Sequence, residues 1–389
     1  MKKKFLLMLC AVSVFMTSCG KVSTGNTGCQ CSSNGCSCCQ CANQENQQVV
    51  IEDANKVLGL APEQTDVKED LTMSEGSTAT ITDIEIESTG EGILETQTIP
   101  DETIPSETVV EVKDVKDLTE GEKEARRQLL KQLDEQRMLL YALPNSIEKM
   151  EKIAKIEELM IQNRTYDFSE KNICFVGDSI TEAVCGDIAE DGSRISYLNH
   201  MQTYMDIGEV MNRGRAGWMY SNYGTTEYSL AYNLDSVLYL FSDATVLFLG
   251  VNDYLVEAQD KRYGELDLNA VSTAGYCGAV RGTMKYLQKY YGEQDIFVVL
   301  GYNPGREVNS TYTDIEPAPT LADYLDVQRS YAESLGFHVI DIYSTGIMDL
   351  SVEEIKSTYT ADGLHPNDKG NVILAKHIAA EMVLYYSTR

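Results

Sequence analysis

The sequence predicts an α/β fold, with a five-stranded parallel sheet covered by helices, over residues 166–389. Three observations lead there. Five short apolar runs recur: NICFVGDS, GEVMNRG, ATVLFLGVND, DIFVVLGYNP and HVIDIYS. Helical patterns separate them, such as GAVRGTMKYLQKYYG and LADYLDVQRSYAESLG, and NVILAKHIAAEMVLYYS closes the chain as an apolar-faced helix. The runs are apolar nearly throughout, which calls for burial on both faces and hence a parallel sheet between helical layers. Sites in such sheets form where the strands end at their carboxyl edge. Polar clusters follow three of these runs directly: Asp178 with Ser179, Asn212, and Asn252 with Asp253.

The segments before the sheet have other characters. Lys2, Lys3 and Lys4 precede an apolar run from Phe5 to Met16, the layout of a signal peptide over residues 1–18. Met16, Thr17, Ser18, Cys19 and Gly20 resemble a bacterial lipobox, in which the Cys becomes the lipid-bearing N-terminus. An ordinary cleaved signal with an incidental Cys is the alternative. The expected location is therefore that of an exported bacterial lipoprotein on the outer face of the cytoplasmic membrane, with Cys19 as the lipidated residue. Residues 19–43 hold Cys29, Cys31, Cys36, Cys38, Cys39 and Cys41. Thiols this dense suit soft-metal binding, disulfides or an unstructured, partly oxidised tract, and no His lies nearby to complete a Cys/His zinc set. Residues 44–118 are acidic with scattered apolar positions, which predicts an extended solvated linker. Residues 119–165 turn helical: Leu129, Leu133, Met138, Leu140 and Leu143, then Ile147, Met150, Ile153, Ile156 and Met160, broken at Pro144 and Asn145, predict a helical hairpin.

Charge excludes whole classes of partner. The 389 residues carry 32 Lys plus Arg against 60 Asp plus Glu, a net charge of -28. A nucleic-acid partner needs a basic face to displace phosphate counterions, so none is expected. Adsorption to anionic lipid through basic residues is excluded likewise, leaving the lipid anchor as the membrane contact.

The chemistry concentrates in a few residues. Of four His, His338 reads as a strand-edge residue, His377 as a mid-helix packing or surface residue, and His200 as having no evident partner. His365 differs. It lies in the turn-rich DGLHPND, three residues after Asp362, where a carboxylate can bind one imidazole nitrogen and aim the other. Ser179 stands at the end of the first strand before a helix start. Such a Ser is commonly an N-cap. The same position exposes a hydroxyl beside backbone N–H groups able to receive an oxyanion. Gly214 and Gly217 in NRGRAG allow close backbone approach, and Asn252 in GVND offers a neutral amide donor.

Together, GDSIT at 177–181, NRGRAG at 212–217, GVND at 250–253 and DGLHP at 362–366 resemble the SGNH, or GDSL-type, serine hydrolases, in order, from about Asn172 to the C-terminus. The resemblance implies a doubly wound α/β sandwich around a five-stranded parallel sheet. It implies Ser179 as nucleophile, His365 as general base and Asp362 as its orienting acid. It implies an oxyanion hole from the backbone N–H groups of Ser179 and Gly214 and the side chain of Asn252. Asp178 and Asp253 read as loop-holding residues. A Ser hydroxyl needs a base to take its proton as it attacks, and an imidazole can take and return one. GxSxG, HExxH and phosphate-loop patterns are missing from the sequence, so no metal or other cofactor is expected.

The implied reaction is acyl transfer to water, with an acylated small molecule or glycan as substrate. Trp218 and Tyr254, beside NRGRAG and GVND, are candidate substrate-binding aromatics, with ordinary packing as the other reading. A surface tether with aromatics near the site favours acetyl esters of carbohydrate. Lipolytic activity, acyl transfer to a sugar acceptor, and a non-catalytic surface-binding role remain open alternatives, as does the oligomeric state. For the N-terminus the expected outcome is that globomycin leaves an unprocessed precursor on immunoblots; normal processing would reject the lipobox reading.

Overall fold

The computed structural model describes residues 114–223, 225–238, 241–257, 266–306 and 319–389. The signal segment, Cys19, the cysteine tract and nearly all of the acidic linker lie outside them. The strands are β1 (Asn172–Gly177), β2 (Glu209–Gly214), β3 (Ala244–Phe248), β4 (Asp295–Leu300) and β5 (His338–Asp341). All pairings are parallel, in the order β2-β1-β3-β4-β5. Gly177 at the end of β1 pairs with Gly214 of β2 on one side and Phe248 of β3 on the other, so three strand ends are level. The chain steps outward from β1 to β2, then crosses back to β3, which makes the carboxyl edge of β1 the switch point of the sheet.

Alternate residues of β1 enter opposite cores, as the two-residue period of a strand requires. Ile173 and Phe175 join one apolar cluster, Cys174 and Val176 the other. The second cluster takes in residues of helices α5 (Leu230–Val237), α7 (Tyr276–Tyr291) and α8 (Leu321–Ser334). The first takes in α4 (Tyr197–Met205) and the terminal α11 (Asp368–Ser387). Shorter helices lie between: α3 (Ser179–Glu182), α6 (Val251–Glu257), α9 (Ile342–Thr345) and α10 (Glu353–Tyr359). No helix among the described residues is long and apolar enough to cross a membrane.

The first cluster also contains the two helices that precede the sheet, α1 (Glu120–Tyr141) and α2 (Ile147–Gln162). Thr119 and Glu122 close the start of α1 with a reciprocal capping box, and Ser146 caps α2. Leu130, Leu133, Met150, Ile153 and Met160 share one core with Phe175, Val246 and Phe297, so the hairpin is a layer of the α/β body and not a separate unit. The apolar periodicity misplaces one residue. Met138 is 57% exposed, and the buried stripe of α1 runs through Arg126, Leu130, Leu133, Arg137 and Leu140.

Arg137 is buried because α2 and α11 surround it with acids. Its Nη2 donates to Asp134 Oδ1 at 2.7 Å and Glu381 Oε1 at 2.6 Å, and its Nη1 to Glu157 Oε1 at 3.4 Å. Glu157 Oε1 lies 2.6 Å from His377 Nδ1, so His377 is a buried member of this ionic cluster. Burial pushes the Glu381 carboxyl up, but the Arg137 guanidinium, with His338 and His377 nearby, brings it down to about 2. Removing one partner of a buried ionic cluster leaves uncompensated charge, at a cost of about 3–5 kcal/mol. Arg137→Met is expected to lose stability of that order, read as a lower urea midpoint. A loss below about 1 kcal/mol, the level of a surface ion pair, would show that the cluster does not hold the hairpin.

Candidate active site

The carboxyl ends of β1, β2 and β3 carry three of the four sequence blocks. After Gly177, Asp178 caps the short helix α3, its Oδ1 accepting from the Ile180 N–H at 2.9 Å. Ser179 is therefore the first residue of a helical turn and stands at the sheet edge. The fourth block arrives from the other end of the domain. The loop Thr360–Pro366 is pinned by the Ala361 N–H donating to His365 O at 2.9 Å and by the Tyr302 hydroxyl donating to Leu364 O at 2.8 Å. It delivers His365 just before Asn367, the N-cap of α11.

Ser179, His365 and Asp362 meet in line. Ser179 Oγ lies 2.9 Å from His365 Nε2, and His365 Nδ1 lies 2.7 Å from Asp362 Oδ2. A carboxylate only accepts, so Nδ1 carries the ring proton and Nε2 is left to accept from the Ser hydroxyl. The second Asp362 oxygen accepts from the backbone N–H groups of Leu364 at 3.0 Å and His365 at 2.8 Å. Burial pushes the Asp362 carboxyl up, but the hydrogen bonds from the His365 ring and from the two backbone N–H groups hold it well below the usual carboxylate range. The acid is thus ionised and immobile beneath the imidazole.

Of the expected oxyanion donors, Gly214 ends β2 and Asn252 follows β3, the strands on either side of β1, and each already holds a bond. Gly214 fits because it lies against the first turn of α3: a Cβ there would sit 2.3 Å from Glu182 N. Its N–H already donates to Asn212 Oδ1 at 2.8 Å, while Asn212 Nδ2 donates to Thr181 O at 2.9 Å. The block around Asn212 is therefore clamped to α3, and the Glu182 carboxylate adds a bond from the Ala216 N–H. Asn252 Nδ2 donates to Trp218 O at 3.0 Å, which uses one of the two protons of the amide. Gly250 precedes it at φ +118, a backbone conformation that side chains rarely adopt, with Gln328 packed where a Cβ would lie.

Asp178 and Asp253 hold the loops. Asp253 accepts from the N–H groups of Tyr220 and Ser221, both at 2.9 Å, so the start of α6 grips the segment after NRGRAG. Burial pushes its carboxyl up to about 7, against the pull of those backbone bonds. Burial likewise raises Asp178 to about 6, opposed by the Ile180 N–H and the nearby His365.

Two expectations are corrected. Trp218 and Tyr254 are each 4% exposed and belong to the second apolar cluster. Their rings face the core, so they are packing residues and not exposed substrate platforms. His200, which lacks an evident partner in the sequence, has its Nε2 3.0 Å from Asp368 Oδ1. Three residues near the site escaped the sequence reading: Glu182, Tyr302 and Cys185. Tyr302 follows β4 as Asn252 follows β3, and that placement is the available signal. Nothing in the spacing brings Cys185 to the triad.

A family model described as GDSL-like lipase/acylhydrolase matches residues 175–373, just over half of the chain. No curated protein matches. Solved structures similar to the chain include a protein from Lactobacillus plantarum at 19% identity, covering 54% of this chain and 95% of that one, with a TM-score of 0.45. The lipase/acylhydrolase from Enterococcus faecalis is 17% identical over 55% of this chain and 95% of its own, with a TM-score of 0.37. An acetyl xylan esterase is 20% identical over 53% of this chain and 97% of its own, with a TM-score of 0.37.

The raised Asp178 carboxyl has a consequence for stability. A carboxyl that ionises less readily when folded stabilises the fold fully below its unfolded pKa, near 4, and loses that contribution as pH rises through about 6. Asn at this position keeps a capping oxygen and cannot ionise. Between pH 4 and 7 the unfolding free energy of the wild type is expected to fall by about 2 kcal/mol relative to Asp178→Asn, measured by urea titration at each pH. A difference that does not vary with pH would refute the shift.

Proposed function

The chain belongs to the GDSL-like lipase/acylhydrolase family and hydrolyses ester bonds, and we propose that it is a surface-anchored serine esterase that removes acetyl groups from carbohydrate through an acyl-enzyme on Ser179. The observation that carries the mechanism is the line from Ser179 Oγ through His365 to Asp362, at 2.9 and 2.7 Å. In this reading Nε2 of His365 takes the hydroxyl proton as Oγ attacks the ester carbonyl. The ionised Asp362 stabilises the imidazolium that forms, and Nε2 then returns the proton to the leaving alcohol. Water, deprotonated by the same nitrogen, releases the acid. The negative oxygen of each tetrahedral intermediate would be met by the Ser179 and Gly214 N–H groups and the remaining proton of the Asn252 amide.

The carbohydrate preference is supported by a pocket of mostly polar residues beside α3 and β2, which none of the triad residues lines. A pocket of about 460 Å³ is lined by Glu182, Val184, Ser193, Arg194 and Asn212, so it touches both α3 and β2. A carboxylate, a guanidinium, a hydroxyl and an amide there suit a hydroxyl-rich alcohol better than a long acyl chain. Surface anchoring is supported by the basic N-terminus, the apolar run and Cys19 of the sequence.

Ser179→Ala is expected to lower kcat for p-nitrophenyl acetate by a factor on the order of 10⁶, as loss of a triad nucleophile does. Asn252→Ala is expected to cost on the order of 10²–10³ in kcat. Rates should fall from acetate to butyrate to octanoate, and acetate release from acetylated xylan or peptidoglycan should exceed release from lysophospholipid. Full activity in Ser179→Ala would reject the acyl-enzyme, and the reverse substrate ranking would reject the glycan preference.

A further inference from the structure

Cys185 lies two residues beyond the αL cap of α3, where the chain turns beneath the DGLHP loop. Its Sγ is 3.7 Å from Asp362 Oδ2, the same oxygen that His365 Nδ1 approaches at 2.7 Å. One sulfur, one imidazole nitrogen and one carboxylate oxygen thus lie within 4.8 Å of one another. An Asp–His pair alone is ordinary triad chemistry. The thiol turns it into a mixed set of the kind that holds zinc. Tetrahedral zinc would separate sulfur and oxygen by about 3.6 Å and nitrogen and oxygen by about 3.4 Å. The first separation is already present, and the second needs a shift of about 0.7 Å. Neither Cys185 nor His365 is fully buried, so solvent ions reach the set.

We propose that Cys185, Asp362 and His365 form an inhibitory site for a thiophilic divalent cation, which on binding removes the base from Ser179. The inference rests on the triad assigned above. Coordination takes the lone pair of Nδ1, so the single proton of neutral His365 moves to Nε2. The Cys185 thiol releases one proton to solvent and binds as thiolate, and Asp362 binds through Oδ2. No electron is transferred, and a water completes the coordination. Nε2, 2.9 Å from Ser179 Oγ, then donates where catalysis requires it to accept. Asp362 no longer receives the Nδ1 proton that fixed the catalytic tautomer. The hydrolase is silenced without any change in its fold.

The test uses the full chain with Cys10, Cys19 and the tract cysteines Cys29, Cys31, Cys36, Cys38, Cys39 and Cys41 replaced by Ser, so that they do not compete for metal. Hydrolysis of p-nitrophenyl acetate is followed against buffered free Zn²⁺ in this parent and in its Cys185→Ala and Cys185→Ser variants, each normalised to its own metal-free rate. The parent is expected to be inhibited and restored by chelator. Both variants should need at least about tenfold more zinc, the loss caused even by removing a supporting residue of a metal site. A second readout is independent of activity. Co²⁺ added to the parent, or to the parent carrying Ser179→Ala, should give a near-ultraviolet thiolate-to-cobalt absorption that is missing from both Cys185 variants. Cys174 and Cys277 are buried and do not contribute. Equal zinc sensitivity in parent and variants, or a cobalt spectrum that does not depend on Cys185, would overturn the proposal. If the parent hydrolyses no ester, the cobalt spectrum still decides the site, and the catalytic reading fails separately.

Discussion

Parallel pairing makes every strand of the sheet end on one edge, and the register of β1 with both neighbours makes three of those ends level. Ser179, Gly214 and the turn before Asn252 come from segments far apart in the chain, yet each needs only to follow its strand to reach the others. The sheet can hold that edge rigid because it is buried on both faces, Phe175 to one side and Val176 to the other. His365 and Asp362 alone arrive without a strand of their own. They depend on a loop tied to β4 through the Tyr302 hydroxyl and to α11 through the cap at Asn367. The line from Ser179 to Asp362 therefore joins a contact three residues apart to one 186 residues apart, and α11 is the element that closes it.

α11 is in turn held by charge. Its His377 and Glu381 meet Arg137 of α1 and Glu157 of α2 in the interior. Burying such groups is costly unless they satisfy one another, as these four do. A similar logic applies to Asp178 and Asp253. Each carboxylate is buried at some expense, seen in its raised pKa, and each fixes backbone N–H groups in the loops that carry the site. Stability is spent where position matters most.

The five strands were legible because burial on both faces leaves continuous apolar runs, which few other elements produce at that length. The Ser179–His365–Asp362 line was legible because its residues stand in local blocks whose order survives in the chain. What escaped reading depended on partners distant in sequence. Arg137 sits on the buried stripe of α1 because acids on two other helices neutralise it, and a periodicity count gives that place to apolar Met138 instead. His377 and His200 gained partners in the same way, from Glu157 and Asp368. Trp218 and Tyr254 stand next to the right blocks, but helices α7 and α8 cover that side of the sheet and take their rings into the core. Cys185 meets Asp362 across 177 positions of the chain, a juxtaposition created by the fold alone.

The resting state of the proposed oxyanion donors bears on how such a site would favour its transition state. The Gly214 N–H is satisfied by Asn212 Oδ1, and one Asn252 proton by Trp218 O. Neither donor is left bare, so the loops can be held in place without an unsatisfied buried group. A neutral ester carbonyl offers little beyond what the Asn212 amide oxygen already gives. An oxyanion accepts a hydrogen bond roughly twice as strong as a neutral oxygen does. Under the proposed chemistry the Gly214 proton is therefore shared with the substrate only once charge has developed on it. A donor that is occupied in the ground state and drawn over by charge lowers the barrier without tightening the binding of the ester, which is the condition for raising the rate of the chemical step.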